Sequence, residues 1–410
     1  MKNTWRFDDT ELEFIKEVLA SDFISSTSGN MNQRFEQAFA AKVGAEFAVT
    51  FNSGTSTMHA CLAAAGVGPG DEVIVPALTV ISTASVVLHQ NAVPIFADVD
   101  PETFNIDPED VRRKITERTK AIIPVSLYGL PADFDPLMEM AAEHDLVVIE
   151  DDAQAHLARY RGRTVGTIGH MASFSFENSK HMTTGDGGIV TTNRREYAVA
   201  VRKFASLGYA ALQAGDGRVR KIAKDELQDP DYIRHDSFGW NYRMPEVAAA
   251  VGMGQLAKLD RYVATRIEIA RMYRRVIQDS GCSYLVPQKT PDDCVNTYYT
   301  FGVRFEGEAR GIAWRDFRKK YVEFGGDGIY AAWQVVYLED VMRNYRFYGK
   351  GCPHRCPLYQ GPPVQYKPGL CPTAEELQGK LMQFVNNYRD AREAQPKVEA
   401  LARTIEYFGG

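Results

Sequence analysis

Between residues 46 and 205, short apolar runs rich in Val, Ile and Phe recur along the chain, separated by stretches whose apolar positions follow a helical period. Runs apolar at consecutive rather than alternate positions are those buried on both faces of a sheet. The pattern predicts strands at 47–51, 72–75, 93–97, 121–125, 146–149, 172–176 and 188–192, with helices at 58–65, 83–89, 108–115 and 136–144 between them. Such alternation gives an α/β fold with a mostly parallel central sheet flanked by helices. The last two runs are joined by about a dozen residues containing Gly185, Gly187 and Gly188, too few for a crossover helix, so an antiparallel pair is expected there.

Farther along, 209–237 is polar and rich in Gly, Asp and Lys, which reads as a surface excursion, and 244–278 reads as one long helix with Pro245 in its first turn. A boundary near 260 follows, dividing the chain into a large unit, 1–260, and a smaller C-terminal α+β unit, 261–410. The smaller unit has a strand at 297–305, an amphipathic helix at 314–324 and a mostly helical stretch at 375–407, interrupted by the Pro- and Gly-rich segment 350–372. No internal repeat or heptad is present.

The length, 410 residues, accommodates two such units. With 47 Lys and Arg against 53 Asp and Glu, scattered along the chain, the net charge of -6 lacks the basic footprint that nucleic acid or an anionic membrane surface demands. No apolar run approaches the roughly 18–20 residues of a membrane span, and residues 1–22 carry no signal-peptide pattern, so a cytoplasmic protein is expected. Six cysteines are too few for a disulfide framework; Cys352 and Cys356, with His354 between them, form the one cluster, half of a zinc site at most, so no metal is expected.

Three segments carry candidate chemistry. Residues 175–188 read SFENSKHMTTGDGG, in which Lys180 follows a predicted strand and precedes a glycine-rich turn. A lysine desolvated beside another cationic group becomes a nucleophile toward carbonyls; the competing reading is a solvated surface lysine. Residues 146–156, LVVIEDDAQAH, are an apolar strand ending in Glu150, Asp151 and Asp152, at the carboxyl end where open α/β sheets hold ligands. An acid there serves a metal or a cofactor. Residues 52–57, NSGTST, link a strand directly to a helix, so their N–H groups and hydroxyls form either an anion site or a simple helix cap.

In that order and at these spacings, NSGTSTMHACLAAAGVGPGDEVIVP, PALTVISTAS, IEDDAQAH, the lysine segment and FGWNYRMPE resemble the DegT/DnrJ/EryC1/StrS family of pyridoxal phosphate (PLP)-dependent sugar aminotransferases. The resemblance is dense over residues 40–265 and thin beyond, where CPTAEEL at 371–377 persists. It implies the PLP-transferase fold type I and PLP, with its amino form PMP, as cofactor. By the same resemblance, Lys180 links covalently to the cofactor and then shuttles the proton between the substrate α-carbon and the cofactor C4′. Asp151 holds the pyridine nitrogen protonated, and Gln154 contacts the ring or its phenolic oxygen. Gly54, Thr55 and Ser175 hold the phosphate, and Asn241 reaches it from the neighbouring subunit of a homodimer with shared sites. For Gln154 and Ser175 the alternative is a polar residue satisfying nearby backbone; for Asn241 it is a cap on its own helix.

The implied reaction moves an amino group from glutamate or glutamine to a keto group of a nucleotide-linked sugar or a cyclitol. Two alternatives stand beside it: a sugar dehydratase of the same family, in which His replaces the lysine, and a non-catalytic regulator that has lost the lysine or aspartate. Five residues before Gly185 stands Lys180, not His181, which favours transfer. Two departures from the family pattern remain. Val80 follows Thr79 where many relatives place an aromatic ring over the cofactor, and His181 follows the lysine where Asn is usual. His181 is either a proton-transfer group or a hydrogen-bonded residue behind the site.

Overall fold

The computed structural model describes residues 5–218 and 222–409. Seven strands form the principal sheet: β1 (Phe47–Phe51), β2 (Glu72–Pro76), β3 (Val93–Ala97), β4 (Thr119–Ile122), β5 (Val147–Asp151), β6 (Met171–Ser175) and β7 (Gly188–Thr192). Their spatial order is β1-β7-β6-β5-β4-β2-β3. Only β7 runs against its neighbours, pairing antiparallel with both β1 and β6, while β6, β5, β4, β2 and β3 are mutually parallel. The short glycine-rich connection before β7 therefore makes the reversal expected of it.

Helices cover both faces. Those used below are α1 (Asp9–Ala20), α2 (Met31–Val43), α3 (Gly54–Ala64), α4 (Ser82–His89), α5 (Pro108–Lys114), α6 (Phe134–His144) and α7 (Arg195–Ala205). Each crossover places its helix against a sheet face, and the two faces carry separate cores. Val73, Val75 and Phe51 point to one, Phe174, Ile189 and Ala172 to the other, as the twofold period of a strand requires.

The stretch 244–278 departs from a single helix. It is split into α8 (Glu246–Leu256) and α9 (Leu259–Asp279), with Pro245 in extended conformation at the N-cap position rather than in the first turn. The break lets Leu256 and Leu259 both be buried while Lys258 turns its Nζ to Glu11 and to the carbonyl of Arg6. The residues after 279 build a second, antiparallel sheet from β8 (Leu285–Pro287), β9 (Phe301–Phe305), β10 (Tyr330–Ala331) and β11 (Leu381–Phe384), in the order β8-β9-β11-β10, with α10 (Trp314–Glu323), α11 (Pro372–Lys380) and α12 (Ala391–Tyr407). The strand expected from 297 starts only at 301, because Tyr298 sits at a left-handed φ of 50°. Helix-compatible residues 381–384 form β11, since pairing on both edges with β9 and β10 outweighs a weak local preference.

The C-terminal residues do not stay beside their own sheet. Ala332, Val336, Tyr337, Met342, Tyr366 and Leu377 join the core of the principal sheet. The excursion 209–237 holds one short helix, Lys224–Gln228, and its residues 219–221 lie outside the described residues. Among the described residues no helix is long and apolar enough to cross a membrane.

Candidate active site

A cavity of 330 Å³ opens at the carboxyl ends of the parallel strands, and Gly54, Thr55, Asp151, Gln154, Ser175 and Lys180 all line it. Asn241 does not. Its side chain is exposed, and its backbone pairs with Ser206 in an isolated antiparallel bridge beside α7.

One end of the cavity is the start of α3. The first N–H groups of a helix lack partners within it; here Ser53 caps the helix, its Oγ accepting the N–H of Ser56 at 3.1 Å, and Thr57 N–H goes to the Ser53 carbonyl. Gly54 and Thr55 then present the amino end of the helix to the cavity. The helix-cap reading of the segment is thus met by Ser53, while Gly54 and Thr55 line the cavity. Close packing sets the geometry: a Cβ on Gly54 would stand 2.8 Å from Cβ of Ser175, and one on Gly188 2.7 Å from the Ser53 carbonyl carbon. Glycine at both positions lets β6, β7 and the helix end converge.

The other end is acidic. Three consecutive carboxylates end β5, and the strand period sends them different ways. Glu150 accepts N–H groups of Gly166, Ile168 and Gly169 at 2.6–2.8 Å. Asp152 accepts Ser126 Oγ–H at 2.8 Å and does not line the cavity; burial and then the charge of Glu150 push its carboxyl well above the usual range. Asp151 faces the cavity, with Oδ2 accepting from Thr83 Oγ1 at 3.0 Å and Oδ1 from Ala153 N–H at 3.3 Å. Burial pushes the Asp151 carboxyl up, against the pull of those bonds and of Lys180. A cation arriving beside it would restore the ionised form.

Between these ends stands Lys180, 9% exposed, its Nζ 4.6 Å from the centre of the Tyr299 ring. Burial disposes of the surface-lysine reading. His181 points elsewhere: its Nε2 pairs with the Thr297 carbonyl at 3.0 Å and its ring lies 5.3 Å from that of His156. Burial, then the charge of Arg266, hold His181 well below the ordinary histidine range. It is the hydrogen-bonded residue behind the site. Gln154 Oε1 accepts Tyr128 N–H at 2.8 Å, so its carbonyl end serves the backbone while the residue still lines the cavity.

Val80 is part of the wall, and the aromatic rings there are Tyr299 and Trp333. Neither was named by sequence reasoning. Trp333 lay between the predicted helix at 314–324 and the Pro- and Gly-rich segment 350–372, and Tyr299 inside a predicted strand, where alternation marks which face a residue takes but not what it meets. Thr83, which bonds Asp151, lay in the quoted PALTVISTAS segment without being assigned. At the Cys352–Cys356 cluster, His354 Nε2 pairs with Tyr366 Oη at 2.7 Å, and no group of His, Cys, Asp or Glu among the described residues is placed to hold a metal.

The amino end of a helix, a buried carboxylate and a buried amine in one cavity fit a planar cofactor that is phosphorylated at one end and basic at the other. Comparison with known proteins agrees. Residues 6–345 match the profile of the DegT/DnrJ/EryC1/StrS aminotransferase family. The chain is 40% identical over 279 residues to GDP-perosamine synthase of Caulobacter vibrioides, covering 67% of this chain and 69% of that one. It is 39% identical over 300 residues to L-glutamine:2-deoxy-scyllo-inosose aminotransferase of Streptomyces lividus, covering 71% and 68%. Among solved structures, an aminotransferase from Psychrobacter cryohalolentis superposes with a TM-score of 0.83 at 29% identity, over 98% of this chain and 96% of that one.

Proposed function

Because the chain belongs to the DegT/DnrJ/EryC1/StrS aminotransferase family, we propose that it transfers an amino group from glutamate or glutamine to a keto group of a nucleotide-linked sugar or a cyclitol. It is a PLP-dependent aminotransferase. The observation that carries the amino-transfer chemistry is the meeting of Lys180, Asp151 and the amino end of α3 in one cavity, while the similarity to the two relatives supports the donor and acceptor classes.

When bound, the cofactor supplies an electron sink for the carbon that loses a proton. The N–H groups of Gly54 and Thr55, with Ser175 Oγ, would hold its phosphate. Asp151 would keep the ring nitrogen protonated, its own need for a cation being met by that contact. Lys180 Nζ would take the proton from the substrate carbon and return it at the cofactor. That Lys180 and not His181 lines the cavity supports transfer over dehydration.

The exposed position of Asn241 supports a working unit of two copies, in which Asn241 completes the phosphate site of the partner. In this reading residues 1–260 form the cofactor-binding unit and 261–410 the smaller unit that bounds the substrate side, where Tyr299 and Trp333 stand.

The test is to incubate the holoenzyme with ¹⁵N-labelled glutamate or glutamine and a panel of keto-sugar nucleotides and keto-cyclitols, reading products by mass spectrometry. Label in an acceptor of either class supports the proposal. Absence of label in every acceptor, with no conversion of PLP to PMP by either donor, overturns it.

A further inference from the structure

The carbonyls of residues 178–181, which carry Lys180, belong to neither helix nor strand, yet each meets a guanidinium. Arg6 Nη1 donates to the Asn178 carbonyl at 2.5 Å, and Arg6 Nη2 to those of Lys180 at 2.8 Å and His181 at 3.5 Å. Arg266 Nη2 donates to the Ser179 carbonyl at 3.4 Å, while its Nη1 donates to the Tyr299 carbonyl at 2.6 Å and to Asn386 Oδ1 at 3.3 Å. Both arginines are buried, at 7% and 2% exposure.

Neither side chain is ion-paired with a carboxylate among the described residues. Glu177, whose charge reaches Arg6, gives its carboxylate to the N–H of Ser179 at 3.0 Å. Burying unpaired cations is costly. Neutral donors would satisfy the same carbonyls at lower cost. What a guanidinium adds is a rigid fork: one side chain spans two or three carbonyls and fixes their spacing.

The anchoring of Arg6 points the same way. Its own carbonyl accepts from Gln255 Nε2 at 2.7 Å, Tyr262 Oη at 2.9 Å and Lys258 Nζ at 3.2 Å, on α8, on α9 and between them. The N-terminal segment is thereby tied to the same helix pair that delivers Arg266.

We propose that Arg6 and Arg266 are positioning residues that clamp the 178–181 backbone and hold Lys180 aimed at the cofactor aldehyde. The inference rests on the proposed role of Lys180. It does not make either arginine a contact of cofactor or substrate.

The clamp should matter to the covalent link and not to non-covalent binding. In forming the link, the Lys180 amine adds to the aldehyde carbon of PLP and one water leaves as the C=N bond forms; PMP has no aldehyde and reports the phosphate and Asp151 contacts alone. Apo-protein is mixed with PLP, following C=N absorbance by stopped flow, and separately with PMP, measuring Kd by calorimetry. Arg6→Met should slow link formation by about tenfold or more, since small misplacements of a reacting group cost up to about a hundredfold, with the PMP Kd within about twofold of wild type. Arg6→Lys keeps the charge but not the fork and should be slowed as well. Should Arg6→Met fail to fold, Tyr262→Phe, which loses one of the three donors to the Arg6 carbonyl, should show the same split in smaller measure.

An unchanged link rate, a full rescue by Arg6→Lys, or equal losses in link rate and PMP affinity would overturn the clamp. Wild-type protein that binds neither PLP nor PMP would overturn the clamp together with the proposed function, so the two failures are distinct.

Discussion

Lys180 Nζ lies over the face of Tyr299, 4.6 Å from the ring centre, while the Tyr299 hydroxyl pairs with Ser179 Oγ at 2.8 Å. One side chain from the C-terminal part thus touches both the amine and the residue before it. A cation over an aromatic face is stabilised by about 0.5–2 kcal/mol depending on burial. Tyr299→Leu should therefore lower kcat by about 3- to 30-fold, whereas Tyr299→Phe, which keeps the face, should stay within about threefold of wild type. Steady-state kinetics of the two variants check this; equal losses would mean that the hydroxyl, not the ring, matters.

The two adjacent acids at the end of β5 should separate cleanly. Asp151→Asn should retain PLP yet lose at least about a hundredfold in kcat, because an amide cannot hold a proton on the ring nitrogen. Asp152→Asn keeps an acceptor for Ser126 and removes a carboxylate crowded by Glu150, so its kcat should change by no more than about threefold. Similar kinetics for the two variants would withdraw the assignment of Asp151.

The apo-protein should carry a pH signature of the same residue. Burial raises the Asp151 carboxyl in the folded chain, so as pH rises above the unfolded value of about 3.9 the unfolded state releases its proton first and folding loses stability. Asp151→Asn has no such group. The Tm of the apo variant minus that of apo wild type should grow as pH rises from about 4 toward neutrality, and PLP, by bringing a cation to Asp151, should reverse the difference. Melting curves across that range give the answer, and an offset independent of pH would contradict it.

Asn241 lies outside its own cavity, and mixing separates action in trans from action in cis. Lys180→Ala and Asn241→Ala variants are combined under conditions of subunit exchange. If Asn241 serves the partner, one site of each mixed dimer carries both lesions and the other neither, so activity rises above both parents. With exchange verified by native mass spectrometry, no gain would show that Asn241 acts within its own chain.

The principal sheet was legible because its strands, such as Ile74–Val75 and Val148–Ile149, are buried on both faces and bounded by turns. Gly54, Thr55, Asp151, Gln154, Ser175 and Lys180 were named through the resemblance of their segments to one family, and they line one cavity because each follows or ends a strand on one edge of that sheet. Tyr299, Trp333, Arg6 and Arg266 were not. Their partners lie far along the chain, 172 residues between Arg6 and Asn178 and 87 between Arg266 and Ser179, and no local period encodes such a pairing. The same reason hid β11, whose strand form depends on β9 and β10.

The most direct test of the central claim is to reduce the holoenzyme with borohydride before and after adding glutamate or glutamine, then locate the cofactor-derived mass by peptide sequencing. The account predicts that it sits on Lys180 before the donor is added, disappears once the donor has converted the cofactor to PMP, and is missing throughout in Lys180→Ala. A label on any other lysine, or one on Lys180 that neither amino donor removes, would contradict it.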